Sequence, residues 1–224
     1  MGTERALYRF TRQLPDLVWN TTALEGNTFT LPEERTLLDG VTVGGKDLAE
    51  QQQILDLSAA FNTVYELVEA EDFDVSADTS NRVHAVVAWH EALDVRLFRG
   101  DGSVTSDGGG VHLMNGRFVE FDPATELHAA HAELLDSLAL LDAPIERGLA
   151  YFCFATHSQF YFDGSKRTAR LMDSGMLMFA GYSALNIPNA RHLEFNILLD
   201  ELFSTDDATA LMDFPYDCLE ESSG

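Results

Sequence analysis

The sequence predicts an all-α fold with a single β-hairpin, and three observations carry that prediction. Apolar residues recur at three- and four-residue steps, as in Ile54, Leu57, Phe61, Val64, Tyr65 and Val68, which is one buried helix face. Strands and helices do not alternate along the chain, so no parallel sheet is expected. One Asn-Gly pair, Asn115-Gly116, lies between two short β-prone runs at 111–113 and 117–121. The chain has 224 residues, 46% apolar and 23% charged, the composition of one folded domain with a full core.

The elements follow in order. Pro15 suits the first turn of a helix running to about Glu25 and stopped by Gly26-Asn27. Thr30-Leu31-Pro32-Glu33 reads as a capping box opening a short helix to about Leu38. Gly40, Gly44 and Gly45 break the chain, and Asp47 caps the helix that carries the 54–68 stripe. Val83, Val86, Val87, His90 and Leu93 predict a further helix. Gly100-Asp101-Gly102-Ser103 and Gly108-Gly109-Gly110 read as loop, and the hairpin follows over 111–121. Helices resume over 123–141, 144–156, 165–180 and 189–203.

Charge narrows the partners. Lys+Arg is 14 and Asp+Glu is 37, a net −23, so general binding to nucleic acid or to anionic lipid is not expected. No apolar run nears the roughly 20 residues of a membrane helix. The two cysteines, Cys153 and Cys218, make neither a disulfide framework nor a zinc site, and the expected location is cytoplasmic. The histidines show no metal-ligand spacing, and the 100–110 glycines lack the Gly-Lys-Ser/Thr of a P-loop.

Against this acidic background, three of the fourteen cations fall within five residues, at Lys166, Arg167 and Arg170. Asp163-Gly164 supplies a turn and Ser165 a cap, leaving free amides at a helix start, where anions bind. Arg167 and Arg170, three apart, share a helix face, and two guanidinium forks suit a polyphosphate. Asp163 offers one carboxylate for Mg²⁺ held with phosphate oxygens. On pattern alone, a loop and helix start with solvated arginines accounts for the segment equally well.

The segment resembles the Fic family motif, His-Pro-Phe-x-Asp-Gly-Asn-Gly-Arg-x-x-Arg. Asp163, Gly164, Arg167 and Arg170 match in register; Tyr161 stands for the phenylalanine, Ser165 for the asparagine and Lys166 for the second glycine. Thr21-Thr22-Ala23-Leu24-Glu25-Gly26 resembles the family's inhibitory pattern, Ser/Thr-x-x-x-Glu-Gly/Asn. The likeness spans roughly residues 21–188. It implies a Fic-like helical bundle with N-terminal helices and the inhibitory motif in 1–47. A core with the hairpin flap would occupy 48–204, and a C-terminal helix and tail 205–224.

Fic proteins transfer AMP from ATP to target hydroxyls. The resemblance therefore implies ATP on Gly164, Ser165, Lys166, Arg167 and Arg170, with Mg²⁺ on Asp163. It implies a target protein held as an added strand on the flap, though a plain hairpin packed on the bundle also fits. It further implies that Glu25, one turn after Thr21 and followed by Gly26, pairs with Arg170 and blocks the γ-phosphate. The family's catalytic histidine falls on Gln159. An amide does not take a proton near neutral pH, and general-base catalysis is worth about 10²–10⁴-fold, so transfer is expected to be impaired. His157 is the nearest substitute, and it requires a re-registered loop. Lys166 resembles the Doc branch, which transfers phosphate. Three readings stand: an autoinhibited Fic-type protein with impaired AMP transfer, a non-catalytic nucleotide-dependent interaction module, and a Doc-like phosphotransferase. A homo-oligomer is compatible with each.

Overall fold

The computed structural model describes residues 2–102, 104 and 108–221. Ser103 and the tail beyond 221 lie outside the described residues. Among those described, there are nine α-helices and one two-stranded antiparallel sheet, the architecture the sequence predicts.

Helix α1, Gly2–Leu24, runs through Pro15 instead of starting there. An interior proline costs about 3 kcal/mol through its missing N–H and ring clash. Ala6, Phe10, Leu17 and Val18, on both sides of it, are each 1% exposed or less. Burying a large apolar side chain contributes about 1.5–3 kcal/mol, so the stripe outweighs the proline. Helix α2, Leu31–Leu38, starts as expected: the Glu33 carboxylate accepts the N–H and the hydroxyl of Thr30, both at 2.8 Å. In α3, Leu48–Glu69, Asp47 Oδ1 accepts from the Ala49 N–H at 2.7 Å. Helix α4, Ala77–Val87, ends before His90 and Leu93, which the sequence placed in it. There His90 Nδ1 meets Asp56 Oδ2 at 2.7 Å and Glu91 turns to Arg167, so distant partners draw the chain out of the helix.

Strands β1, Gly110–His112, and β2, Phe118–Glu120, pair with Val111 opposite Val119. The Gly116 N–H closes their turn onto the Leu113 carbonyl at 2.8 Å, with Gly116 at φ +83°. A 3-10 turn, Ala124–Glu126, leads into α5, Leu127–Leu138, so the helix expected over 123–141 is shorter at both ends. Helices α6, Pro144–Ser158, and α7, Ser165–Phe179, flank the motif turn. A second 3-10 turn, Asn189–Arg191, precedes α8, His192–Thr205, and α9, Thr209–Glu221, closes the fold. Helix α7 is the axis of the bundle. It packs on α1, α3, α4 and α6, and it is buried on all sides from Arg167 to Met178. The motif turn therefore sits where the most enclosed helix begins.

Candidate functional site

The turn between α6 and α7 is held by buried polar contacts. Gln159 ends α6 in the left-handed region, φ 48° and ψ 60°, its side-chain amide donating to the Thr156 carbonyl at 2.6 Å. Tyr161 stacks on His84, and its hydroxyl lies 2.7 Å from Ser80 Oγ and 2.9 Å from Asn81 Oδ1. His84 Nε2 lies 3.0 Å from the Asp163 carbonyl, which only accepts, so the ring proton is on Nε2. Nδ1 then accepts the Arg96 N–H at 3.1 Å. Burial lowers the His84 pKa to about 4, against the pull of the Asp163 carbonyl, so the ring is neutral.

Ser165 is not the cap the sequence suggested. Gly164, at φ +74°, takes that position, and a Cβ there would meet Ala88 Cβ at 3.0 Å. The Ser165 hydroxyl instead accepts the Tyr161 N–H and donates to the Tyr161 carbonyl, each at 2.8 Å. Arg99 is a residue the sequence reading missed. It is 2% exposed, its N–H donates to the Phe160 carbonyl at 2.7 Å, and Nε donates to the Gln159 carbonyl at 3.2 Å. Its Nη2 reaches the Asp122 carbonyl at 2.9 Å, tying the turn to the end of the hairpin. No local pattern around Phe98-Arg99-Gly100 announces this role.

The cations divide differently from the expectation. Arg167 turns away from Arg170 and forms a two-pronged pair with Glu91, with Nη1 to Oε1 at 3.0 Å. Its Nη2 lies 3.6 Å from Asp163 Oδ1. Arg170 is 1% exposed and stands 5.6 Å over the Phe195 ring. Its Nε, Nη1 and Nη2 have no hydrogen-bond partner among the described residues. The cations that share a face toward Glu25 are Lys166 and Arg170. Lys166 Nζ is 3.4 Å from Glu25 Oε2, and Arg170 Nη2 is 4.0 Å from Oε1. Burial pushes the Glu25 pKa up, but Lys166, Arg170 and Arg167 together outweigh it and hold the group below the usual value. Glu25 is thus ionised at neutral pH.

The end of α1 aims this carboxylate. Gly26, at φ +88°, ends the helix, and the Asn27 side-chain amide donates to the Glu50 carbonyl at 3.1 Å and to Gln53 Oε1 at 3.0 Å on α3. Thr21 is buried one turn earlier. Deeper in α7, Asp173 is fully buried with neither oxygen hydrogen-bonded, and burial raises its pKa well above the ordinary carboxylate value, with Arg170 opposing. Gly148 on α6 makes room for it, since a Cβ there would come 2.3 Å from Oδ1.

A cleft of about 440 Å³ opens above the turn, within the size range of small-molecule sites. The hairpin forms one wall with Val111 and His112, α8 the other with Asn196 and Asp200, and Gln159 and Lys166 form the floor. Asp200 Oδ2 accepts the Met114 N–H at 2.7 Å and pins the hairpin to α8. Gln159, not His157, faces this space. His157 Nε2 is bound to Asp206 Oδ1 at 3.0 Å and its ring stacks on Phe203, so the loop is not re-registered. The Asp163 side chain is 51% exposed at the mouth of the turn, with Oδ1 accepting the Gly164 N–H at 2.7 Å. No group of three His, Cys, Asp or Glu able to hold a metal occurs among the described residues, and none of their helices is long and apolar enough to cross a membrane.

Known proteins give a consistent comparison. No family model matches the chain. Proteins named protein adenylyltransferase Fic from Drosophila yakuba and Drosophila melanogaster are each 24% identical over 212 residues. The match covers 92% of this chain and 40% of the relative, so the chain spans about two fifths of the length of these curated relatives. Among solved structures, a Fic family protein from Desulfovibrio desulfuricans G20 superimposes with a TM-score of 0.79 at 21% identity, covering 95% of this chain and 64% of that one. Fic-1 from C. elegans gives 0.79 at 22% identity, covering 97% and 63%. A Fic domain containing signaling protein from Bacteroides thetaiotaomicron gives 0.78 at 18%, covering 97% and 84%.

Proposed function

We propose that this chain, a Fic-family protein by its sequence relatives and its fold, binds ATP with Mg²⁺ in the cleft above the 159–170 turn. In this reading it derives from AMP transferases, is held off by Glu25, and transfers poorly because Gln159 occupies the base position. The observation that carries it is the ionised Glu25 carboxylate, standing 3.4 Å from Lys166 and 4.0 Å from Arg170 although it comes from the other end of the sequence. A carboxylate and a phosphate compete for the same cations, so its presence favours the empty site.

The residues fit the ligand. The three nitrogens of Arg170, which have no hydrogen-bond partner among the described residues, suit phosphate oxygens. The α7 start has Gly164, whose carbonyl takes the first helical bond from Thr168 N–H at 2.9 Å, leaving the amides of Ser165, Lys166 and Arg167 without helix partners. Arg167 is tied to Glu91 in a two-pronged pair, with Nη2 3.6 Å from Asp163 Oδ1, and so supports the turn beside that helix start. Asp163, half-exposed, would hold Mg²⁺ together with phosphate oxygens, the usual mode for this hard cation. Bound ATP supplies the AMP group and the pyrophosphate leaving group. The hairpin edge holds a target segment as an added strand and presents its hydroxyl toward Gln159. Gln159 orients that hydroxyl but cannot take its proton. The low cysteine content fits a cytoplasmic location, and a homo-oligomer is compatible with this reading.

ATP labelled at the α- or the γ-phosphate tests this. Glu25→Gly should bind ATP more tightly than the unaltered chain by calorimetry, with slow α-label transfer to protein. Label from the γ-phosphate alone would favour the Doc-like phosphotransferase, to which Lys166 points. Binding without label would favour the interaction module. Absence of ATP binding in both proteins would overturn the proposal.

A further inference from the structure

Three of the fourteen cations, Arg5, Arg9 and Arg12, lie within eight residues of α1, at the opposite end of that helix from Glu25. Steps of four and three put them on one stripe. None makes an ion pair among the described residues: Arg9 Nη2 donates to the Gly181 carbonyl at 3.2 Å and Arg12 Nη1 to the Tyr8 hydroxyl at 3.1 Å. Asp16, one turn beyond Arg12, is already paired with Arg35 at 3.1 Å. Tyr8 stands at the crest of this face, 61% exposed, with the Arg12 guanidinium 5.9 Å from its ring centre. A groove runs along each side of the crest, and Glu4 and Tyr8 border both. Arg5 and Arg9 line the first groove, whereas Tyr65, Val68, Glu69 and Glu71 line the second. Both glutamates of the second groove are exposed, and Glu69 accepts only the Tyr65 hydroxyl, at 2.8 Å.

A basic strip and an acidic strip on either side of one exposed aromatic make a self-complementary face. In a two-fold contact both copies present the same patch, so a residue i meets j and j meets i. An axis lying along α1 turns the basic side of one copy onto the acidic side of the other. The geometry points to this face as an interface with a second copy of the chain, in which Arg5 of one copy pairs with Glu69 of the other, twice, around the two Tyr8 rings. The packing of α1 on α3 sets that register. Phe10 meets Phe61 and Tyr65, and the groove continues to Glu69 and Glu71 beside the start of α1, so Glu69 stands near the level of Arg5. Away from this face the copies repel, each carrying −23. At 0.15 M salt the Debye length is about 8 Å, which damps that repulsion and leaves contact pairs in place. Exposed ion pairs contribute little by themselves, and the Tyr8 rings add the apolar area that an interface needs.

Sedimentation velocity at a constant ionic strength of about 0.15 M tests this, with the chain taken to about 1 mM, where weak complexes still form. The unaltered chain should shift from monomer toward dimer as its concentration rises. Arg5→Glu alone sets Glu against Glu69 at both symmetry-related contacts, and Glu69→Lys alone sets Lys against Arg5 at both. Each should weaken self-association at least about five-fold, because two pairs are lost and like charges take their place. An equimolar mixture of the two variants puts an opposite pair back at both contacts. It should dimerise within about two-fold of the unaltered chain, since exposed pairs of this kind are nearly interchangeable, and this recovery also shows that both variants are folded. A chain that stays monomeric throughout would overturn the inference. Association untouched by either substitution would place the contact on another face and overturn it too, and so would a mixture no better associated than its parts. None of these outcomes bears on nucleotide binding, which the labelled-ATP experiment tests separately.

Discussion

Tyr161 and His84 stack with ring centroids 3.8 Å apart and planes 8° from parallel, and this sandwich fixes the turn that carries Asp163. The stack needs a neutral imidazole, because Nδ1 accepts the Arg96 N–H. Burial holds the His84 pKa at about 4, below the ordinary 6.5. Between those values the unfolded chain takes up a proton that the folded chain refuses. Stability from this group is therefore full above about pH 6.5 and is lost as pH falls toward 4. The loss is on the order of 3 kcal/mol. Urea unfolding at pH 7 and pH 4.5 should show a smaller acid loss for His84→Gln than for the unaltered chain. Equal losses would contradict the neutral, buried imidazole.

Glu34 gives the opposite slope. It is 0% exposed, Oε1 has no hydrogen-bond partner, and Oε2 lies 3.3 Å from the Thr22 hydroxyl. That hydroxyl has one proton and also lies 3.1 Å from the Val18 and Trp19 carbonyls, so its help is shared. Burial raises the Glu34 pKa to about 8, with Thr22 and Arg35 opposing and Asp16 adding to the rise. The folded chain then holds a proton that the unfolded chain releases above 4.5, so stability falls as pH rises from about 4.5 to 8. Glu34→Gln should be more stable than the unaltered chain at pH 8, by on the order of 4 kcal/mol, with little difference near pH 4.5. Thermal melts at the two pH values check this, and a pH-independent effect would refute it.

The legible features were those decided within a few residues. The Thr30–Glu33 box and the Asn115-Gly116 turn appear as read, since local bonds and backbone preferences govern both. Pro15 and Ser165 were misread for one reason: a distant packing face or a backbone carbonyl across the turn decided what the local signal suggested otherwise. Glu91 and Arg99 were illegible because Arg167 lies 76 residues from the first and Gln159 60 residues from the second. The Glu25–Arg170 approach was readable through family resemblance, while its nearer partner, Lys166, was not, because the resembled motif has glycine there.

Gln159 occupies the left-handed region at φ 48°, where a side chain other than glycine is under strain. Histidine is among the residues enriched there, so Gln159→His should fold without penalty. It also returns a proton acceptor to the cleft. In a Glu25→Gly background it should raise α-label transfer by about 10²–10⁴-fold over Glu25→Gly alone. A change below ten-fold, with ATP affinity unaltered, would show that the missing base is not what limits transfer.

Arg170 carries a cost in the closed protein. Its guanidinium is 1% exposed and none of its three nitrogens is hydrogen-bonded. Burial draws its pKa down from the ordinary arginine value, with Glu25 and Asp173 opposing and Arg167 adding to the fall. Replacing buried charges by apolar groups of similar volume is often neutral or stabilising by about 1–4 kcal/mol. Glu25→Gln should therefore melt at a lower temperature than Glu25→Gln combined with Arg170→Met, by about 2–4 °C for each kcal/mol gained. The combined variant should bind ATP ten- to a hundred-fold more weakly than Glu25→Gln, since each hydrogen bond to a charged group contributes about 1.5–3 kcal/mol. Calorimetry and thermal melts on the two proteins give both quantities. If the combined variant melts lower instead, the guanidinium is satisfied even without the Glu25 carboxylate, and a buried fork without hydrogen bonds reserved for phosphate is the wrong account of Arg170.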